Sequence, residues 1–210
     1  MIFENRFDAG EKLAKELQEY KNKKDVVIVA IPRGALQIGA VLAKRLNLPM
    51  DVVFTKKLAF PGRSELAIGY VSESDIFVDP IIIERANIPE SYIYQEAKKI
   101  KDLLRQRYSK YYQDIHPIEL KNKTIILVDD GIATGNTIKG AIEALRNKNV
   151  KEIVVAVPVV AEDSLLEINA LADKVVYLDV PENLMAIGQF YRNFDQVDDD
   201  DAITLLKESR

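Results

Sequence analysis

The chain has 210 residues, 48% of them hydrophobic and 30% charged, with a formal net charge of −4, no cysteine and one histidine, His116. That length and apolar share fit one α/β domain with a core that needs no staples, while disulfides, thiolate metal sites and a multi-histidine metal site are excluded. The acidic balance argues against a general nucleic-acid binder, the charged start Met1-Ile2-Phe3-Glu4-Asn5-Arg6 does not read as a signal peptide, and no apolar run approaches the ~20 residues of a membrane span, so the expectation is a cytoplasmic protein with neither nucleic acid nor membrane as partner.

Residues 8–20 read as a helix, with Ala9, Leu13, Leu17 and Tyr20 on one face and Asp8 as cap. Val26 to Ile31 is a continuous apolar run, mostly β-branched, the mark of a strand buried on both sides. It stops at Pro32-Arg33-Gly34, and a helix is expected over 35–46. Asp51 to Lys57 reads as the next strand; residues 58–66, which contain Pro61-Gly62 and keep no period, read as a loop. Two short strands are expected at Ile68–Val71 and Ile76–Val78. Residues 91–113 have helical spacing in Ile93, Ala97, Ile100, Leu104, Tyr108 and Tyr111. Ile125 to Val128 is the purest central strand, followed by a glycine-containing turn and a helix over 137–147. Ile153–Val160, a helix at 163–172 and Val175–Leu178 continue the rhythm, and 182–210 breaks it with Phe190, Tyr191 and Phe194 before a last helix. The alternation predicts a parallel sheet of about five strands with helices on both faces.

The segment Thr124 to Thr137 carries the chemistry. In open parallel sheets, ligands bind beyond the carboxyl ends of the strands. Here a strand ends in two adjacent carboxylates, Asp129 and Asp130, and a loop, Ala133-Thr134-Gly135-Asn136-Thr137, opens a helix. A helix N-terminus offers free N–H groups and partial positive charge to a phosphate. Gly135 permits close backbone approach, and the hydroxyls of Thr134 and Thr137 add donors. The carboxylates suit sugar hydroxyls about one sugar away from that phosphate. Taken alone, the two aspartates are also compatible with capping a turn.

This pattern of apolar strand, paired acids and threonine-glycine loop resembles the signature of type I phosphoribosyltransferases. The resemblance spans nearly the whole chain, and more narrowly points to a little-characterised group within that class, through Phe7-Asp8-Ala9-Gly10, Lys57-Leu58-Ala59-Phe60-Pro61-Gly62, Glu65-Leu66-Ala67-Ile68-Gly69 and Ile187-Gly188-Gln189-Phe190-Tyr191 with Phe194. It implies a single domain over 1–210, with a core at about 22–180, a flexible loop at about 58–76, and a hood built from 1–20 and 181–210. It implies transfer of ribose 5-phosphate from phosphoribosyl pyrophosphate to a nitrogenous heterocyclic base, a pentosyl transfer that releases pyrophosphate and uses Mg2+. Asp129 and Asp130 would hold the ribose hydroxyls and contact the metal through water, and Ala133 to Thr137 would hold the 5-phosphate. Arg33 and Gly34 would grip pyrophosphate with Lys56 and Lys57. Lys57, Arg33 and Asp130 would be the catalytic side chains, and Phe190 and Tyr191 would stack on the base.

Each assignment has a plainer counterpart. Pro32-Arg33-Gly34 also fits an ordinary strand–helix turn, the lysines (with Arg63) a solvated edge, and the aromatics core packing. Relatives of this class commonly form homodimers, and helix 91–113 fits either an interface or a cover for the sheet. Hypoxanthine/guanine enzymes carry an aspartate where Ala133 stands, which puts a 6-oxopurine mechanism of that type in doubt; adenine and uracil enzymes have alanine there. The alternatives are a non-catalytic sensor that keeps the donor site, a ribose-phosphate pyrophosphokinase, which normally pairs two such domains, and an unrelated nucleotide-binding protein. The last lacks support, because neither a P-loop nor a three-glycine dinucleotide fingerprint is present.

Overall fold

The alternation within the buried strands sorts their side chains onto two opposite faces. The computed structural model describes residues 1–210. Strands β1 (Val26–Ala30), β2 (Met50–Val52), β6 (Thr124–Val128), β7 (Glu152–Val159) and β8 (Lys174–Asp179) form one parallel sheet in the order β2-β1-β6-β7-β8. Ile28, Ala30, Ile126, Val128, Val154 and Ala156 pack on one face, into the larger of the cores. Val27, Val29, Ile125, Leu127, Val155 and Val157 pack on the other. With apolar side chains on both faces, each strand must be covered on both sides. Helices α1 (Arg6–Glu16) and α2 (Ala35–Leu46) cover the first face, together with the C-terminal helix Asp199–Glu208. Helices α5 (Asn136–Asn147) and α6 (Glu162–Asn169) bring Ile138, Ile142, Leu145 and Ile168 to the second.

The chain adds β2 on one side of β1 and then crosses to add β6 on the other. That reversal lies between β1 and β6, where Ala30 pairs with Val128. The loops that leave these two strands therefore diverge around a crevice, the place where doubly wound sheets bind ligands. The loop after β1 holds Pro32-Arg33-Gly34, in which the Pro32–Arg33 peptide is cis. The loop after β6 holds Asp129 to Gly135.

Two readings of the sequence need correction. The run Asp51–Lys57 is not one strand: β2 ends at Val52, and β3 (Thr55–Phe60) belongs to a second, antiparallel sheet in the order β3-β4-β5. The unbroken apolar stretch Val52-Val53-Phe54, all buried, conceals the change of sheet. Residues 58–66 are not an irregular loop either. They form a hairpin in which Phe60 pairs with Arg63 across Pro61-Gly62, and β4 runs from Arg63 to Ser72. Pro61 pre-sets the first turn position, and Gly62, at φ +72°, takes the left-handed second one. Register shifts between Leu58 and Phe60 blur the alternation that would have announced a strand.

Strand β5 (Ile76–Val78), helix α3 (Pro80–Arg85), absent from the sequence reading, and the 22-residue helix α4 (Glu90–Tyr111) complete this arm. Ala97 of α4 packs with Leu58, Ile68 and Val71 of the hairpin, while Leu104 and Tyr111 join the main core, so α4 fastens the arm to the sheet. Helix α1 lies against α2, β7 and β8. The segment before it joins the tail: Phe3 bridges Tyr191 and exchanges backbone hydrogen bonds with Phe190 and Arg192. No helix is long and apolar enough to cross a membrane.

Candidate active site at the switch point

Strand β6 delivers Asp129 and Asp130 to its carboxyl end, half-buried, beside the β1 loop. The approach is close: a Cβ on Gly34 would lie 2.5 Å from Asp130 Oδ2. The Asp130 N–H donates to Asp129 Oδ1 at 2.9 Å, and Arg6 Nε donates to Asp130 Oδ2 at 2.9 Å. Asp129 Oδ2 and Asp130 Oδ1 have no protein partner. No side-chain oxygen in the protein is both buried and unpartnered, so both are open to the crevice. Burial, reinforced by the neighbouring Asp130 charge, pushes the Asp129 carboxyl well above the usual carboxylate range. Burial also raises Asp130, and the Arg6 guanidinium pulls it back. Ionising both acids is therefore costly, and a ligand's hydroxyl donors or a cation would offset that cost.

One turn further on, the backbone changes character. Gly135, at φ +71° and ψ −5°, caps α5 in the left-handed region, a conformation that L side chains resist. Ile132 N donates to Val159 O, and Lys139 N donates to Gly135 O. Between them, the amides from Ala133 to Ile138 have no backbone acceptor. A run of free N–H groups at the positive end of a helix is an anion cradle. Ser164 of α6 fixes its rim by donating to Ala133 O at 2.7 Å. Tyr70 of β4 fixes the other side by donating to Asn136 Oδ1 at 3.2 Å. Across the crevice the amides of Arg33, Gly34 and Ala35 are also free of backbone acceptors, at the start of α2. Two runs of free amides therefore flank one pair of acids.

A model of the phosphoribosyl transferase domain matches residues 1–194. The chain belongs to the phosphoribosyltransferase family. A candidate phosphoribosyl transferase of Mycobacterium tuberculosis is 33% identical over 206 residues, 98% of this chain and 46% of that protein; the chain spans about half the length of that curated relative. The crystal structure of the protein TT1426 from Thermus thermophilus superposes with a TM-score of 0.90 at 33% identity, covering 99% of each chain. The ribose-phosphate pyrophosphokinase of Pyrococcus furiosus is 29% identical over 139 residues, 60% of this chain and half of that protein.

Against the phosphoribosyltransferase signature, the structure brings together Asp129, Asp130, Ala133, Thr134, Gly135, Asn136 and Thr137 in one loop, with Gly34 against Asp130 and Arg33 next to Gly34 in the β1 loop. The two lysines part company. Lys57 pairs with Tyr70 and Lys56 with Val71, and residues opposite each other across an antiparallel ladder share a face. Lys57 therefore lies on the hairpin face that Tyr70 turns to α5, and Lys56 on the face that Val71 buries towards α4. Tyr191 is buried, its ring 5.4 Å from Phe3 and 5.0 Å from Phe194, and its hydroxyl donates to Asp130 O at 2.7 Å. Burial, with the Asp130 charge, raises its phenol and keeps it a donor. Phe190 is half-buried against the main core. Arg6, Tyr70 and Ser164 were not foreseen from sequence; each reaches the loop from a distant element.

Asp129 and Asp130 also supply the oxygen donors that magnesium favours, although nowhere does a group of three or more histidine, cysteine or carboxylate side chains gather as a metal cage. Magnesium keeps several waters and takes few protein ligands, so a pair of carboxylates fits it. Two hollows lie elsewhere. One of about 780 Å3 is lined by Phe7, Val41, Lys44 and Arg45, and one of about 850 Å3 between the arm and α5 touches the loop only at Asn136.

Proposed function

We propose that the protein binds phosphoribosyl pyrophosphate at the switch point and transfers its ribose 5-phosphate to a nitrogen of a heterocyclic base. The observation that carries this reading is the placement of two open carboxylate oxygens between two sets of free amides. The α5 cradle, Ala133 to Thr137, takes the 5-phosphate; Asp129 and Asp130 accept from the ribose hydroxyls; Arg33 and the Gly34 amide take the pyrophosphate. In the reaction the bond from the anomeric carbon to pyrophosphate breaks as the bond to the base nitrogen forms, and positive charge develops on the sugar while negative charge develops on the leaving group. Such chemistry needs positioning and electrostatic stabilisation more than a nucleophile. Arg33, together with Lys57 on the arm face turned to α5, supplies cationic charge to the leaving group. Magnesium bound with the donor, held through water by Asp129 and Asp130, would supply further charge neutralisation.

The test is pyrophosphate release from phosphoribosyl pyrophosphate and magnesium across a panel of purine and pyrimidine bases. Base-dependent release supports transfer. Saturable donor binding with no base-dependent release favours a sensor that keeps the donor site. A protein that neither binds nor turns over the donor refutes the proposal.

A further inference from the structure

A cation in the first turn of a helix opposes the helix dipole. Arg6 nevertheless opens α1 and is only 6% exposed. Two of its three guanidinium nitrogens and one face of the group are engaged. Nε donates to Asp130 Oδ2 at 2.9 Å, Nη1 donates to the Asp195 carbonyl at 2.8 Å, and the plane lies 3.8 Å from the centre of the Phe194 ring. The same tail holds the Asp130 backbone through the Tyr191 hydroxyl. It also closes over Gly131, where a Cβ would come within 2.7 Å of Ile187. A buried ion pair is weak evidence for stability. This one fixes the rotation of a carboxylate: with Oδ2 taken by Arg6, Asp130 has one oxygen left for a ligand, and Asp129, with Oδ1 taken by an amide, has one as well.

We infer that Arg6 is the positioning residue of the ribose-binding acids, holding Asp130 so that its remaining oxygen and that of Asp129 meet adjacent sugar hydroxyls. This rests on the reading of the crevice as a phosphoribosyl pyrophosphate site. Arg6 itself touches no ligand. It acts through Asp130, and the tail acts through Arg6. A guanidinium is required, because a lysine ammonium could reach Asp130 but could not also span to the Asp195 carbonyl and lie flat on Phe194.

Calorimetric titration of the intact protein with two probes, phosphoribosyl pyrophosphate with magnesium and metal-free inorganic pyrophosphate, which places neither a sugar nor a metal at the two acids, tests this. Only the first carries the sugar hydroxyls. In Arg6→Gln the affinity for phosphoribosyl pyrophosphate should fall by about tenfold or more, the loss of one charge-assisted contact, while that for inorganic pyrophosphate stays at the wild-type value. Arg6→Lys should fall between the two. Equal affinity of wild type and Arg6→Gln for phosphoribosyl pyrophosphate overturns the inference, as does a parallel loss of both probes, which would mark general damage. If Arg6→Gln does not fold, Phe194→Leu takes its place: it removes the platform and leaves the acids and Arg6 intact. That variant should weaken the sugar-bearing probe alone, and unchanged binding there overturns the inference. Absence of phosphoribosyl pyrophosphate binding in the wild type defeats the parent reading and this one with it.

Discussion

Replacing Gly34 with alanine is a small change that the geometry makes large. Gly34 sits at φ −58° and ψ −37°, where any L residue is at ease, so no backbone strain enters. At such a site Gly→Ala ordinarily stabilises by about 0.4–1 kcal/mol through the unfolded chain. Here the added Cβ would lie 2.5 Å from Asp130 Oδ2, 2.7 Å from Arg6 Nε and 2.9 Å from Arg6 Cζ. A long exposed side chain would swing away at little cost. These two are pinned, Arg6 by Phe194 and the Asp195 carbonyl, and Asp130 through its backbone by Tyr191. The pair must therefore separate or the α2 loop must withdraw. Losing a hydrogen bond between charged groups costs about 1.5–3 kcal/mol. Set against the unfolded-state gain, a net loss of about 1–2 kcal/mol follows, a fall of several degrees in Tm for a chain of this size. On the proposed donor site, affinity should drop about tenfold or more, since the displaced oxygen belongs to one of the two acids proposed to hold the ribose. Thermal unfolding and calorimetric titration of Gly34→Ala measure both. A variant with wild-type Tm or higher and undiminished affinity would refute the claim that the β1 and β6 loops meet around a fixed Arg6–Asp130 pair.

Other perturbations separate the parts. Gly135→Ala has room, with nothing nearer than 3.5 Å to its Cβ, but must hold φ at +71°; it should cost about 1–2 kcal/mol in denaturant unfolding and weaken phosphate binding. Ser164→Ala removes the donor to Ala133 O and should cost about 1 kcal/mol, read as a lower denaturant midpoint with a modest rise in donor Kd. Asp129→Asn should stabilise the free protein while abolishing donor binding. The sign follows from burial, which raises this carboxyl in the folded state: between the ordinary carboxylate range and the raised value the folded protein binds more protons than the unfolded chain, so stability declines as pH rises through that window. Removing the group should flatten that decline, visible as a higher Tm for the variant at neutral pH and a smaller difference in acid.

The sheet and its loop were legible because their signals are local. Unbroken apolar runs at Val26–Ile31 and Ile125–Val128 can be stable only when covered on both faces, and the acids and glycine follow within a few residues. The arm was less legible because Val52-Val53-Phe54 carries apolar sequence across a change of sheet, and the register shifts near Ala59 erase the period of two. Arg6 left no local trace. It meets Asp130 across 124 residues of sequence, and at the start of α1 it looks like one more charged surface residue. Tyr191 stood out as an aromatic in an irregular tail, but whether its ring faced a ligand or the core depended on Phe3 and Phe194, which lie on either side of it in sequence and only meet it in the fold.

We propose that Asp129, Asp130 and the loop to Thr137 form the ribose 5-phosphate site. Titration of phosphoribosyl pyrophosphate with magnesium into the wild type and into Asp130→Asn, followed by calorimetry, tests it most directly. The account predicts saturable binding in the micromolar range, about 8 kcal/mol, that is lost or weakened at least tenfold in the variant. Absence of binding to the wild type, or equal binding to both proteins, would contradict it.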